Sequence, residues 1–352
     1  MPSHPAAVDV DRAVPRAPGV AEATNVGHEH SFADLEPYRR ELTGYCYRML
    51  GSGFEAEDAV QETMIRAWRA MDQFEGRAAL RSWVYRIATN VCLDMLRSRG
   101  RRARPMDLGP SSTPEAFRGD MLPDHAWLQP LPDARVAADG DPADLVESRE
   151  SIRLAFVAAL QHLPARQRAV LILCEVLRWQ ATEVAELLDT SVASVNSALQ
   201  RARATLASRD VEEPSAALDA DQEELIARYV DAFERYDMTA LVALLHDDAV
   251  MSMPPYDFWL RGSDLMIEWF VGTGVGCRGS RLVATTANGC PAFGSYRVDP
   301  EGGWSPWAIQ VLEVSGGLIV GYHNFVDPAL FAAFGLPDHL GPDHVGKTDE
   351  VE

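Results

Sequence analysis

Apolar residues recur at helical spacing in two stretches of the chain and alternate at strand spacing in a third. In EAEDAVQETMIRAWRAM, Ala56, Val60, Met64, Ala67, Trp68 and Met71 fall on one stripe, and Asp58, Gln61, Glu62 and Arg69 face away from it. A glycine-containing break, DQFEGRAAL, leads to RSWVYRIATNVCLDMLRSRGRRAR. There Trp83, Ile87, Val91 and Met95 repeat every four residues, and Arg97, Arg99, Arg101, Arg102 and Arg104 follow with no acidic residue after Asp94. Further on, LPARQRAVLILCEVL, WQATEVAELLDTS and VASVNSALQRARATL predict a long helix, a short helix, a tight polar turn at Asp189 and Thr190, and a last helix ending in arginines. This is a helix-turn-helix pattern. From Glu223 to Leu245 the period is helical again, and AVMSMP, RLVATTANG, PAFGSYRV, WAIQVLEV and LIVGYHNFV then read as antiparallel strands, some separated by DPEGG and SGG. Helices first and strands after predict an α+β unit.

The intervals between these stretches set the domain boundaries. Residues 1–30 are Pro-rich and aperiodic and read as a disordered tail. Residues 31–104 form a first all-α domain. Residues 105–145 hold seven prolines, eight acids and two arginines, too little apolar surface for a core, and read as a flexible acidic linker. Extended, such a linker reaches about 130 Å, and as a coil about 35 Å. A second all-α domain spans 146–209, a hinge 210–218, the α+β domain 219–340 and a tail 341–352.

Length and composition fit this division, since 352 residues at 47% hydrophobic suffice for two or three cores. No run approaches the roughly 18 apolar residues of a membrane span. The first thirty residues lack the apolar block of a signal peptide, so a cytoplasmic chain without a membrane partner is expected. The five cysteines are scattered and never in CxxC spacing, which predicts free thiols and no metal site, and His28 with His30 in the tail makes no site either. A net charge of −20 would repel phosphate, but the charge is unevenly spread. Residues 1–209 carry 25 arginines against 28 acids, and residues 210–352 carry 7 basic against 24 acidic groups. The acidity belongs to the C-terminal third, and the arginine cluster after Asp94 remains fit to hold phosphate.

Taken together, EAEDAVQETMIRAWRAMDQFEGRAALRSWVYRIATNVCLDMLRSRGRR resembles region 2, and LPARQRAVLILCEVLRWQATEVAELLDTSVASVNSALQRARATL resembles region 4, of an extracytoplasmic-function sigma factor. The two matches cover about 120 residues in the family's order. The resemblance implies a dissociable subunit that binds core RNA polymerase and promoter DNA and directs transcription initiation. It implies that Arg81, Tyr85, Arg86, Asn90, Arg97, Arg99, Arg101 and Arg102 face the −10 element, with a base pocket in the loop from Phe74 to Leu80. It places Ser194, Asn196, Ser197, Gln200, Arg201 and Arg203 toward the −35 element, and Asp58, Gln61, Glu62 and Arg69 toward polymerase. Asn196 stands where many relatives carry a basic residue, which suits adenine or weakens binding. The linker is similar to the segment that threads the polymerase cleft.

The C-terminal third resembles a SnoaL-like (polyketide-cyclase-like) α+β cone. FVDPALFAAFGLP looks like the terminal segment of sigma factors that carry one. Met253, Tyr256, Trp259, Trp269, Trp307, His323 and Asn324 are its expected pocket lining for an unidentified small molecule. Asp257, Asp264 and His323 are the residues an enzyme of this fold would use, but regulation in cis without catalysis or cofactor is the expected role. Two rival classes remain: a helix-turn-helix regulator acting without polymerase, and a cone-fold enzyme with a DNA-binding appendage.

Overall fold

A computed structural model of the chain describes residues 32–74, 79–97, 100–136, 150–207 and 220–344. The expected N-terminal tail, the 210–218 hinge, Arg99, residues 75–78 of the base-pocket loop and the end of the linker lie outside the described residues.

Two short 3-10 turns lead into α1 (Arg39–Leu50), α2 (Gly53–Arg69) and α3 (Leu80–Leu96). Gly51 closes α1 at φ 72, a conformation that suits a residue without Cβ, and Ser52 Oγ accepts a hydrogen bond from Glu55 N at 3.2 Å to cap α2. α2 buries Ala56, Ala59, Val60, Thr63, Met64 and Ala67, whereas Trp68 is 59% exposed. It lies 100° on from Ala67, past the edge of the packed face and off the stripe expected for it. α3 is likewise rotated from expectation. It buries Val84, Tyr85, Ala88, Thr89, Val91 and Cys92, and Trp83, Ile87 and Met95 are half-buried on its flank.

The second all-α domain, the part that resembles region 4, comprises α4 (Leu154–Gln161), α5 (Ala165–Leu171), α6 (Ala181–Leu187) and α7 (Val192–Ala207). The long helix expected over LPARQRAVLILCEVL gives way after α5 to a wide π turn, Ile172–Val176, where Leu177 N donates to Ile172 O at 3.0 Å. Asp189, at φ 49, makes the expected turn before α7.

The C-terminal unit opens with α8 (Ala220–Glu234) and α9 (Met238–Val242). Its strands are β1 (Leu245–Ser252), β2 (Trp259–Arg261), β3 (Arg281–Ala287), β4 (Cys290–Val298), β5 (Trp304–Ser315) and β6 (Leu318–Phe325), with α10 (Ser263–Val271) after β2. The sheet order is β2-β1-β6-β5-β4-β3. β1 and β6 pair in parallel, so the sheet is mixed rather than antiparallel throughout. Such a pairing needs a long excursion between partners, which β2, α10 and the β3–β6 meander supply. β2, at three residues, is too short to show a period.

The two faces of this sheet have different neighbours. One face and helices α8 to α10 enclose an interior containing Tyr229, Phe233, Phe270, Phe293, Leu312 and Tyr322. On the other face Ala292, Tyr296, Ile309, Val311 and Phe325 share a continuous core with both all-α domains and the linker. A last short helix, α11 (Leu330–Ala333), closes over it, Phe331 meeting Tyr296 edge-on at 4.9 Å.

The described part of the linker is therefore a strap rather than a flexible tether. Ala103 pairs with Trp127, Met121 with Tyr256 and Pro132 with Ala287, while Trp127, Leu128 and Leu131 are buried. Its few apolar residues suffice because each enters a core formed by other segments, and its prolines hold the extended backbone that carries them there.

Candidate nucleic-acid interfaces and the cone mouth

α7 is an amphipathic helix with one face free. Ser191 Oγ accepts from Ser194 N at 3.2 Å and caps its start. Val195 and Ala202 are buried, with Ala198, Leu199 and Leu206 packed beside them. Ser194, Asn196, Ser197, Gln200, Arg201 and Arg203 are all exposed along the remaining half-cylinder, as the spacing predicted. Arg201 Nη1 donates to Ser197 Oγ at 2.6 Å, and Arg203 pairs with Glu175 at the solvent surface.

α3 presents a different picture, because region 4 lies against it. Tyr85, expected to point outward, is fully buried between Tyr45 (5.3 Å) and Trp179 of region 4 (5.1 Å). Arg81 lies over the Tyr85 ring at 5.4 Å and the Trp179 ring at 5.3 Å, and its Nη2 pairs with Glu41 at 2.8 Å. Arg86 is exposed but donates to the carbonyl oxygen of Glu186, in α6, at 2.9 Å. Asn90 is exposed on the same helix.

The described arginines that follow, Arg97, Arg101, Arg102 and Arg104, all have partners. Arg97 pairs with Asp94 at 2.9 Å, Arg104 with Asp107 at 3.4 Å, and Arg101 contacts His162. Arg102 departs furthest from expectation. At 6% exposure it pairs with Glu55 at 2.5 Å and donates to the carbonyls of Asp124 (2.9 Å) and Trp127 (2.5 Å). It ties α2 to the strap and offers no guanidinium to a phosphate in this arrangement.

Three further groups join the domains, and none stood out in the sequence. Arg48 donates to Ser151 O (3.1 Å) and Oγ (2.5 Å). Arg168 reaches from region 4 to the carbonyl of Met49 near the end of α1 and to Gln161 Oε1 at 2.7 Å. Burial pulls both guanidinium pKa values down to about 10. The third is Asn288, at the tip of the β3–β4 hairpin, where Asn288 (φ 55) and Gly289 (φ 71) make a tight turn. Its Oδ1 accepts from Leu131 N at 2.9 Å, and its Nδ2 donates to Tyr47 Oη (2.7 Å) and Ile152 O (2.6 Å). One buried amide thus holds the cone, the strap, α1 and the start of region 4. The Asn-Gly pair signals a hairpin, but nothing local says what its tip will touch.

On α2, Asp58, Gln61 and Arg69 are exposed, as expected of a docking face, and Glu62 is half-buried beside Arg66 at 2.6 Å. The exposed Trp68 adds an aromatic ring to this helix surface.

The expected pocket residues divide between the two faces of the sheet. Met253, Tyr256, Trp269 and Trp307 belong to the interior, with Arg297 stacked 3.7 Å from the Trp307 ring centre. Tyr229 Oη donates to Gln310 Oε1 at 2.7 Å and Gln310 Nε2 donates to Tyr322 Oη at 2.8 Å. Burial raises the pKa of both phenols and keeps them neutral. Trp259 lies outside, its Nε1 donating to Gly109 O of the strap at 3.0 Å. His323 is outside as well, because alternation along β6 turns it away from Tyr322. It borders a crevice with Ala103, Arg104 and Pro105 of the strap and Leu154 of region 4. Its Nδ1 lies 2.8 Å from Ser252 Oγ and its Nε2 3.5 Å from Glu313 Oε2. Burial opposes ionisation of Glu313, but the hydrogen bond and charge of His323, with Arg104 and Arg153 behind it, hold its pKa down at about 2. Asp257 and Asp264 are exposed, so the acids and base nominated for catalysis do not converge inside the cone.

The sequence matches the family models Sigma-70 region 2 over residues 35–102, Sigma-70 region 4 over 153–206 and SnoaL-like domain over 226–322. It is 45% identical over 320 residues to the ECF RNA polymerase sigma factor SigG of Mycobacterium tuberculosis (strain ATCC 25618 / H37Rv), covering 88% of this chain and 84% of that protein. It is 30% identical over 182 residues to SigW of Bacillus subtilis (strain 168), covering 51% of this chain and 89% of SigW. The crystal structure of the Mycobacterium tuberculosis sigma factor SigJ, 24% identical, superposes with a TM-score of 0.58 over 87% of this chain and 100% of that one, a likeness of fold. Among the described residues, no helix is long and apolar enough to cross a membrane.

Proposed function

The chain belongs to the extracytoplasmic-function RNA polymerase sigma factors, and from that premise we propose that the arrangement described above is a resting state in which the strap and cone hold region 4 against α3. In the active state α3, with Arg86, Asn90, Arg97 and Arg101, meets the −10 element, α7 meets the −35 element, and the exposed face of α2 docks on core polymerase. The cone contributes regulation in cis and carries out no chemistry. The dispersal of Asp257, Asp264 and His323 away from the neutral Tyr229–Gln310–Tyr322 interior supports that part of the reading.

The observation that carries the proposal is the contact of Tyr85, Arg81 and Arg86 with Trp179 and Glu186. A helix covered in this way cannot lie along DNA while region 4 reads a separate site. Loosening the clasp should therefore raise output. In transcription reconstituted with core polymerase, Asn288→Ala is expected to increase promoter-specific RNA several-fold. Equal output from the two chains at equal polymerase occupancy would overturn control by the cone.

A further inference from the structure

Phe117 is a strap residue that packs with the interior of the cone. Its ring meets Tyr256 at 5.1 Å, Phe258 at 5.2 Å and Trp269 at 5.0 Å, each edge-on. The three rings form a socket for one flat six-membered ring. On either side the strap is held by its backbone, Ser112 N donating to Trp259 O (2.8 Å) and Leu122 N to Pro255 O (3.0 Å), while residues 118–120 between them are exposed. Phe117 therefore enters the mouth on a loop tied at both ends.

A second observation lies on the same inner face of the sheet, beside Gln310. Asn324 is buried, and its Oδ1 has no hydrogen-bond partner among the described residues. Ser252 pairs with His323 across β1 and β6, which places Met253 and Asn324 together one residue further along. Met253 N in turn donates to Phe258 O at 3.2 Å, so the orphan oxygen sits at the socket end of the sheet. The neighbouring amide of Gln310 is already engaged on both atoms by Tyr229 and Tyr322. A buried carbonyl oxygen without a donor is costly, and a hydroxyl would satisfy it. At the lip, exposed Glu115 of the strap lies beside exposed Glu268 of α10, and its carboxyl raises the Glu268 pKa. Two carboxyls there disfavour an anionic ligand.

We propose that the cone mouth binds a neutral, planar, hydroxylated aromatic molecule, with its ring in the Phe117 socket and its hydroxyl donating to Asn324, and that Phe117 is the built-in competitor it displaces. The proposal deepens the clasp reading and rests on it only for the consequence: a ligand that expels Phe117 frees the strap at its centre.

Calorimetric titration of the full chain with 2-naphthol and with naphthalene-2-carboxylate tests it. Phe117→Ala should bind 2-naphthol about tenfold more tightly than the unmodified chain, because the plug no longer competes. Adding Asn324→Ala should weaken that binding about fivefold. Equal affinity with and without Phe117, or carboxylate binding as tight as naphthol, overturns the proposal. In the unmodified chain, which needs no substitution to fold, saturating 2-naphthol should speed tryptic cleavage after Arg118 several-fold, and an unchanged rate overturns displacement. Promoter output measured without probe separates the two readings. Tighter binding by Phe117→Ala with unchanged output keeps the ligand site and removes the clasp, whereas raised output with no binding keeps the clasp and removes the site.

Discussion

α3 and α7 are both helices with arginines at or beyond their C-terminal ends, and both resemble promoter-reading elements, yet the fold treats them in opposite ways. α7 buries a narrow stripe around Val195 and Ala202 and leaves its polar half to solvent. α3 is packed by α1 on one side and by α6 and Trp179 on another, and Arg97, Arg102 and Arg104 after it meet Asp94, Glu55, Asp107 or backbone carbonyls. An arginine cluster therefore has two uses. Exposed, it holds phosphate at a salt-sensitive distance; buried, it satisfies carbonyls where domains meet, a task its five donors suit better than any other side chain. Sequence context alone does not choose between these uses, because the acids and carbonyls that decide it arrive from other segments.

The sharpest way to break the contrast is Arg102→Ala. If Arg102 is a domain tie, removing it takes the guanidinium from Glu55, which is 13% exposed, and leaves the carbonyls of Asp124 and Trp127 without that donor. Losing one partner of a buried pair costs about 3–5 kcal/mol. The denaturation midpoint of the full chain should fall accordingly, before any DNA is added. A variant as stable as the parent, but weaker on promoter DNA, would return Arg102 to the phosphate-binding set.

A somewhat smaller effect is expected from acid. Glu313, on the outer face of the sheet, has its folded pKa held at about 2 against an ordinary value of 4.5. A carboxylate depressed in this way favours the folded state above its unfolded pKa, and that contribution is lost as pH falls from about 4.5 toward about 2. The amount is on the order of 3 kcal/mol. Because Glu313 and His323 lie against the strap and the start of region 4, hydrogen exchange should rise on the covered face of α3 across this window, while α7 should change little. Glu313→Gln should flatten the dependence. An identical acid limb in the two chains would place the proton uptake elsewhere.

Much of this organisation could be read along the chain, and the part that could not has a common cause. Region 2, region 4 and the cone each carry their own periodicity, and the exposed face of α7 follows from helical spacing alone. By composition the strap is a flexible tether, because seven prolines and eight acids cannot build a core. That reasoning holds for a segment acting alone, but Phe117, Trp127, Leu128 and Leu131 enter cores built by other segments. Helical spacing within its own bundle turns Tyr85 outward, and Trp179, from nearly a hundred residues on, covers it. The sidedness of His323 and Trp259 turned on strand register, where a shift of one residue exchanges the faces. Asn288 is the extreme case: a turn residue by local rules, and the point where four segments meet by tertiary ones.

The smallest effect on the fold, and the test of the open half of the comparison, comes from Arg201→Ala. Arg201 is exposed and bonded only locally to Ser197 among the contacts described, so its loss should change stability by under about 0.5 kcal/mol. On promoter DNA bound with core polymerase, losing one phosphate contact should lower affinity and make the slope of log K against log salt shallower by about one. Loss of a base contact instead would cost roughly 1–3 kcal/mol at one position of the −35 element and leave the salt slope in place. The two outcomes assign Arg201 to backbone or base. If neither affinity nor slope moves while the same change at Arg86 alters both, α3 and not α7 is the helix whose arginines meet DNA, and the covered face becomes the one whose release controls the promoter.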